Sequence, residues 1–283
     1  MTLLHMLIAI LINLLWGSTF VAAAIGLREF SPTLFTGIRF GLLAILLVGF
    51  LKAPRAQFMP LLRIGLVMGT GMYLTLYLSV ALADNTASVA VFNKLEVPFA
   101  LLLGVLLLGE RIGIRRIMGI SVAMIGAITI TFDPAAFADW PALFWMVVSC
   151  GFSAYGFIQI RRLGKMHPCT IVAWISIVSA PVLLVMSFIF ESEQVQVVRE
   201  ASWIAWLALA YAAIMGSVVA NSGLYFLLQR YPVNQITPFG LLSPIFSVIG
   251  GLLLLDDVLT LGLIVGGSLI LFGVTWINLH NMD

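Results

Sequence analysis

Charge is what this 283-residue sequence has least of: 9% of its residues are Asp, Glu, Lys or Arg, against about 25% in soluble domains. With 62% hydrophobic residues and a mean hydropathy of +1.14, there is too little polar surface to cover a water-soluble globule, so the solvent must be bilayer. Only two cysteines occur, Cys150 and Cys169, in different apolar stretches, and they make no disulfide framework. The three histidines, His5, His167 and His280, fall at segment ends, and no metal cluster is expected. There is no H-E-x-x-H, P-loop or nucleophile elbow. Gly151-Phe152-Ser153 has no histidine at membrane depth to activate it. These absences argue against an enzyme and imply no cofactor. No basic run is long enough to bind nucleic acid.

What is present is apolar length. A hydrocarbon core of roughly 30 Å takes about 20 residues of helix. Ten stretches meet that need: Leu3–Gly26, Thr33–Leu51, Leu61–Ala83, Ala87–Leu108, Ile112–Phe132, Pro141–Ile160, Cys169–Phe190, Trp203–Leu228, Gln235–Leu255 and Leu259–Ile277. No Lys or Arg precedes the first, so Ala22-Ala23-Ala24 reads as part of a retained span, not a signal cleavage site. The longest polar break, Glu191–Ser202, is read as a surface turn or interfacial helix. Lys52, Arg55, Arg63, Arg111, Arg115, Arg116, Arg161, Arg162, Lys165 and Arg230 all fall in even-numbered loops. Odd-numbered loops hold only Arg28 and Arg199, among many carboxylates. Basic loops stay inside, so both termini are expected in the cytoplasm.

The pattern also repeats. Pro32 and Pro168 stand 136 residues apart, and Pro98 and Pro244 stand 146 apart. Pro98 leads to Gly109-Glu110, Gly119 and Gly126; Pro244 leads to Asp256-Asp257, Gly266 and Gly273. The halves are therefore placed at residues 1–134 and 135–283. Five spans is an odd number, so the second half must enter the bilayer inverted. The expected fold is an all-α polytopic membrane protein of ten transmembrane helices in two inverted five-helix repeats. That is transporter architecture, with a site near the midplane where the halves meet.

Here the residues suggest a family. "NLLWGSTFVAAAIGL", "GIRF" at Gly37–Phe40 and "VPFALLLGVLLLGERIGIRRIMGISVAMIGAITI" resemble the drug/metabolite transporter superfamily in its ten-helix EamA branch, most nearly YddG-type exporters of amino acids and related metabolites. The resemblance covers the whole chain. It implies a cavity walled by four helices from each half, with the fifth and tenth helices outside. Two features depart from it: Asp256-Asp257 replaces the second Gly-Glu, and Lys94 with Glu96 stands where such exporters more often carry neutral or aromatic residues.

Lys94 and Glu96 lie about 10–14 Å into the fourth span at roughly 1.5 Å per residue, where a charge costs about 2.5–3.5 kcal/mol. Two residues apart, they point to nearly opposite helix faces. Pro98 lacks the N–H that would bond the carbonyl of residue 94, and an opening there would let both side chains face one cavity. They are expected to line that cavity and hold a zwitterionic solute; the alternative is that they pair or snorkel and only support the fold. Asn93, Trp16, Tyr73, Tyr77, Tyr155, Trp174, Asn221 and Tyr225 are the further solute-binding candidates, because aromatic bodies with polar tips suit amphipathic solutes. Any one of them could instead be packing. Pro98 and Pro244 are candidate hinges. Arg39, six residues into the second span, is expected to snorkel outward or bond a loop carboxylate such as Glu29. Glu110 and Asp256-Asp257 are expected to cap the helices that follow them. Glu96 is the only carboxylate clearly inside a span and so the only candidate proton carrier; proton coupling and facilitated diffusion both stay open. The expected function is export of amino acids or similar small metabolites across a bacterial inner membrane by alternating access, with multidrug or organic-cation efflux as the alternative and, behind it, a non-transport membrane enzyme or scaffold.

Overall fold

The computed structural model describes residues 1–52, 55–82, 93, 95–131, 140–243, 245–246 and 261–279, and every element among them is helical. Among the described residues, five helices are long and apolar enough to cross a membrane: Leu3–Ala23, Arg55–Ser79, Trp140–Arg162, Pro168–Phe190 and Trp203–Leu228. Four shorter apolar helices, Pro32–Leu46, Glu96–Leu108, Ile117–Gly126 and Ile264–Gly273, occupy four more of the expected stretches. Of the remaining stretch, Gln235–Leu255, residues 244 and 247–255 lie outside the described residues, as do Lys94, Asp256 and Asp257.

The elements run as follows. α1 (Leu3–Gly26) starts at Thr2, whose hydroxyl accepts the His5 N–H. α2 spans Pro32–Leu46. The third span is one rod with a widened middle: α3 (Phe58–Ile64), a π-helical segment Gly65–Met72, and α4 (Tyr73–Leu82). Then come α5 (Glu96–Leu108), α6 (Ile114–Thr131), α7 (Trp140–Arg162) and α8 (Pro168–Phe190). The polar break forms a short surface helix, α9 (Gln194–Glu200). The eighth span repeats the design of the third: α10 (Trp203–Tyr211), a π-helical segment Ala212–Asn221, and α11 (Ser222–Leu228). α12 (Val233–Ile236) runs into a 3₁₀ turn, Thr237–Leu242, and α13 (Leu261–Leu279) closes the chain. The π segments begin at Gly65 and Ala212, 147 residues apart, close to the offset of the prolines.

Burial is inside out. Leu3, Leu7, Leu11 and Leu14 on α1, and Leu261, Ile264, Leu271 and Phe272 on α13, are exposed. Asn13, Arg39, Ser153, Ser176, Ser217 and Asn221 are buried. In water that arrangement would be untenable; in lipid, apolar side chains face outward and polar ones must find partners inside.

Helices pair antiparallel. The start of α2 meets the end of α8: Glu191 accepts the N–H groups of Thr33 and Leu34 at 2.8 and 3.0 Å, and the hydroxyls of Ser31 and Ser187 donate to the same carboxylate. These bonds outweigh the partial burial of Glu191 and hold its pKa below the usual carboxylate value. The third span pairs with α7 through Ser149 to the Met72 carbonyl and Ser79 to the Ala142 carbonyl. α1 pairs with the eighth span through Ser18 to Tyr211 and Trp16 to Asn221. α6 and α13 pack backbone to backbone. A Cβ on Gly126 would stand 2.6 Å from the Gly266 carbonyl oxygen, and one on Gly273 would stand 2.5 Å from that of Gly119. Only glycine permits that approach.

One capping contact reaches a distant part of the chain. The Glu110 carboxylate accepts the Val233 N–H at 2.8 Å, so it caps α12. α5 begins at Glu96, so Pro98 lies in the first turn, where an N–H has no intrahelical acceptor to lose.

Candidate functional site

The buried polar residues form a connected line across the centre. Arg39, on α2, is only 2% exposed. Its Nη1 donates to the Tyr77 hydroxyl at 2.9 Å, and its Nε and Nη2 donate to Ser217 Oγ at 3.1 and 2.7 Å. The guanidinium carbon lies 5.0 Å from the centre of the Tyr73 ring, a cation–π distance. Tyr73 and Tyr77 stack at 6.0 Å, because a four-residue spacing puts both rings on one helix face. The Tyr73 hydroxyl accepts from Asn221 Nδ2 at 3.3 Å, and Asn221 Oδ1 accepts the Trp16 indole N–H at 3.1 Å. Tyr225 is 2% exposed and within electrostatic reach of Tyr73, Arg39 and Glu96.

This overturns the expectation for Arg39. It neither snorkels nor meets Glu29; Glu29 accepts the N–H and hydroxyl of Ser202 at 2.6 Å instead. Depth counted along the sequence put Arg39 near a membrane face. Packing decides otherwise. α2 runs against the π segment of the eighth span, and Gly216 there leaves the opening: a Cβ at Gly216 would lie 3.1 Å from Arg39 Nη2.

Trp16 also lines a small cavity together with Ala9, Ile12, Asn13, Glu96, Phe157, Leu224, Leu227, Ile236, Thr237, Phe239 and Gly240. Its volume of about 10 Å³ holds no more than about one water. Residues of α1, α5, α7, α11 and the 3₁₀ turn meet there, drawn from both halves of the chain. Glu96 Oε2 accepts the Ser153 hydroxyl at 2.6 Å. Asn13, 2% exposed, donates to the Ala9 carbonyl, while its Oδ1 is buried without a hydrogen-bond partner. A roomier concavity of about 510 Å³ lies along α9 at Glu193–Gln196, Arg199 and Glu200. It is an open surface notch that includes none of these groups.

The structure thus brings Trp16, Tyr73, Tyr77, Glu96, Asn221 and Tyr225 together. It places three other candidates elsewhere. Asn93 faces α7, its amide 3.5 Å from Met146 Sδ and its carbonyl accepting Cys150. Trp174 packs edge-on against Phe58, a half-exposed residue at the start of α3. Tyr155 is half-buried on α7 and is not part of the cavity wall. Lys94 and Pro244 lie outside the described residues. Sequence reading did not single out Asn13, Ser217 or Thr237, and weighed Ser153 only as a nucleophile, because small polar residues are common in membrane helices and carry no periodic signal. Among the described residues, no group of His, Cys, Asp and Glu could hold a metal ion.

Comparison with known proteins adds the following. The model of the EamA-like transporter family matches residues 3–132 and again residues 140–279. A probable amino-acid metabolite efflux pump of Salmonella typhimurium (strain LT2) is 24% identical over 96% of this chain and 93% of its own length. Its Escherichia coli (strain K12) counterpart is 25% identical over 97% and 94%. The uncharacterized inner membrane transporter YedA of Escherichia coli (strain K12) is 26% identical over 84% and 78%. A solved crystal structure superposes over 99% of this chain and 98% of that one, with a TM-score of 0.81 at 17% identity, a likeness of fold.

Proposed function

Because this chain belongs to the EamA-like transporter family and is a multi-pass membrane protein, we propose that it exports amino acids or similar small metabolites across a bacterial inner membrane by alternating access. The family assignment points to transport, not to enzymatic chemistry. The names of the two efflux-pump relatives support the solute class, and the inner-membrane relative supports the location. The double family match supports halves at residues 1–134 and 135–283. The antiparallel pairs α2–α8 and α6–α13 support the inversion of those halves. We read ten spans with both termini in the cytoplasm, and Pro98 and Pro244 as equivalent points of the two repeats.

One observation carries the reading. A buried polar line runs from Arg39 to a narrow cavity at Glu96, where spans of both halves meet. A cavity of about 10 Å³ admits no solute until its walls part, as alternation between two openings requires. Lys94 and Glu96 then face the solute, Glu96 being also the residue on which a proton would ride. A second reading, efflux of organic cations, is favoured by the way Trp16, Phe157 and Phe239 surround the Glu96 cavity.

Reconstitution in liposomes decides between them. Radiolabelled amino acids and organic cations are offered with and without a pH gradient. Amino-acid flux is expected, reduced in Glu96→Gln and Lys94→Met. Strict cation selectivity would replace the first reading with the second, and undiminished flux in both variants would remove these residues from the pathway.

A further inference from the structure

Arg39 is a buried cation whose partners are all neutral. Its hydrogen bonds go to two hydroxyls, Tyr77 and Ser217, and its face rests on Tyr73. Among the described residues it forms no ion pair with a carboxylate. Burying an arginine in a low-dielectric interior is costly, and hydroxyls offset that cost far less than a carboxylate does. A fold that needed only packing here would place an aliphatic residue. A guanidinium held by weak, displaceable acceptors is matched in shape and charge to a planar carboxylate, which it grips through two parallel N–H···O bonds.

We propose that Arg39 is the carboxylate receptor of the transport site. The Ser217 and Tyr77 hydroxyls occupy it in the closed state, and the solute carboxylate displaces them. The other end of the polar line fits the other end of the solute. From Arg39 it passes by Tyr73, Asn221 and Trp16 to the cavity that holds Glu96, a carboxylate suited to an ammonium group. The buried, unpartnered Asn13 Oδ1 in the same wall is one more acceptor for such a donor. Both charges then meet their complements, and the aromatic wall of Trp16, Phe157 and Phe239 takes the apolar remainder. The inference rests on the transport reading above and names the chemistry of its solute.

A matched set of probes tests it: phenylalanine, phenethylamine, which lacks the carboxylate, and phenylpropionate, which lacks the ammonium. Each is radiolabelled and offered to the full-length protein in liposomes. Arg39→Gln is expected to lower the ratio of phenylalanine to phenethylamine uptake about tenfold or more, as losing a charge-assisted bidentate contact should; Arg39→Lys should restore part of it. Should Arg39→Gln fail to fold, Ser217→Ala and Tyr77→Phe carry the test. Each removes a competitor for the guanidinium and is expected to raise apparent affinity for phenylpropionate severalfold. A latch of purely structural role predicts no rise. An unchanged uptake ratio in Arg39→Gln, or unchanged affinity in both hydroxyl variants, would overturn this inference while leaving amino-acid transport in place. Wild-type transport of phenylpropionate without phenylalanine would remove the amino-acid reading and leave Arg39 as receptor. Transport of phenethylamine alone, or of none of the three, would overturn both.

Discussion

Two glycines, each in a π segment, receive partners that are alike in one respect and different in another. In the first-half π segment, Gly69 receives Ser179 and Ile175 of α8: a Cβ on that glycine would meet the Ser179 hydroxyl first and stand 2.9 Å from the Ile175 side chain. In the second-half π segment, Gly216 receives Thr19 of α1 at 2.9 Å and then Arg39 of α2 at 3.1 Å, so a hydroxyl residue meets both glycines and a charge only the second. Gly69 and Gly216 are 147 residues apart, Arg39 and Ile175 are 136 apart, and these match the offsets of the π segments and the helix-starting prolines. The backbone device is shared while the occupant differs. Their neighbours follow suit. Ser217, next to Gly216, accepts two bonds from Arg39, whereas Thr70, next to Gly69, has a buried hydroxyl with no hydrogen-bond partner. In the α6–α13 glycine seam the residues hold the fold. Arg39 has no charged counterpart at position 175, and there the chain has placed a group the fold did not ask for.

The comparison can be broken outright by Ile175→Arg. That variant installs a second buried cation near Ser179, whose hydroxyl already donates to the Gly65 carbonyl, and is expected to cost about 3–5 kcal/mol; thermal unfolding in detergent should show collapse or loss of expression. Removing the acceptor on the charged side costs less. Ser217→Ala should lower stability by about 1.5–3 kcal/mol, the range for a hydrogen bond to a charged group.

Away from both contacts, Glu191→Gln weakens the clamp between α8 and α2 by about 1 kcal/mol, as loss of a good helix cap does. Its sign with pH is fixed. Folding lowers the Glu191 pKa, so its contribution is full above the usual carboxylate value of about 4.5 and fades as acid protonates the folded form. Wild type and Glu191→Gln should therefore differ at pH 7 and converge below about pH 4.5. The smallest effect sharpens the contrast: Thr70→Val removes an unpaired buried hydroxyl at nearly constant volume. It should be neutral or stabilising by less than about 1 kcal/mol, opposite in sign to Ser217→Ala.

The all-helical, membrane-spanning character was legible from the sequence because lipid demands unbroken apolar length, and turns must be polar. Glu96 was legible because a carboxylate in such a run is conspicuous. Arg39 was visible but misplaced: six residues from a helix start suggests a membrane face, and only lateral packing against Gly216 shows that this stretch of α2 is interior. Trp174 was chosen as an aromatic with a polar tip, and the fold sets its ring edge-on to Phe58 at the start of α3. Glu110 bonding Val233 illustrates the same limit, since sequence proximity proposes a neighbour and the fold supplies another.

The glycine seam has an electrostatic side. α6 and α13 run antiparallel with their backbones touching, so the partial positive end of one macrodipole lies beside the partial negative end of the other. Bulk water would screen that attraction to little; hydrocarbon does not. Any side chain inserted at Gly126 or Gly273 would therefore push apart two opposed dipoles as well as two surfaces.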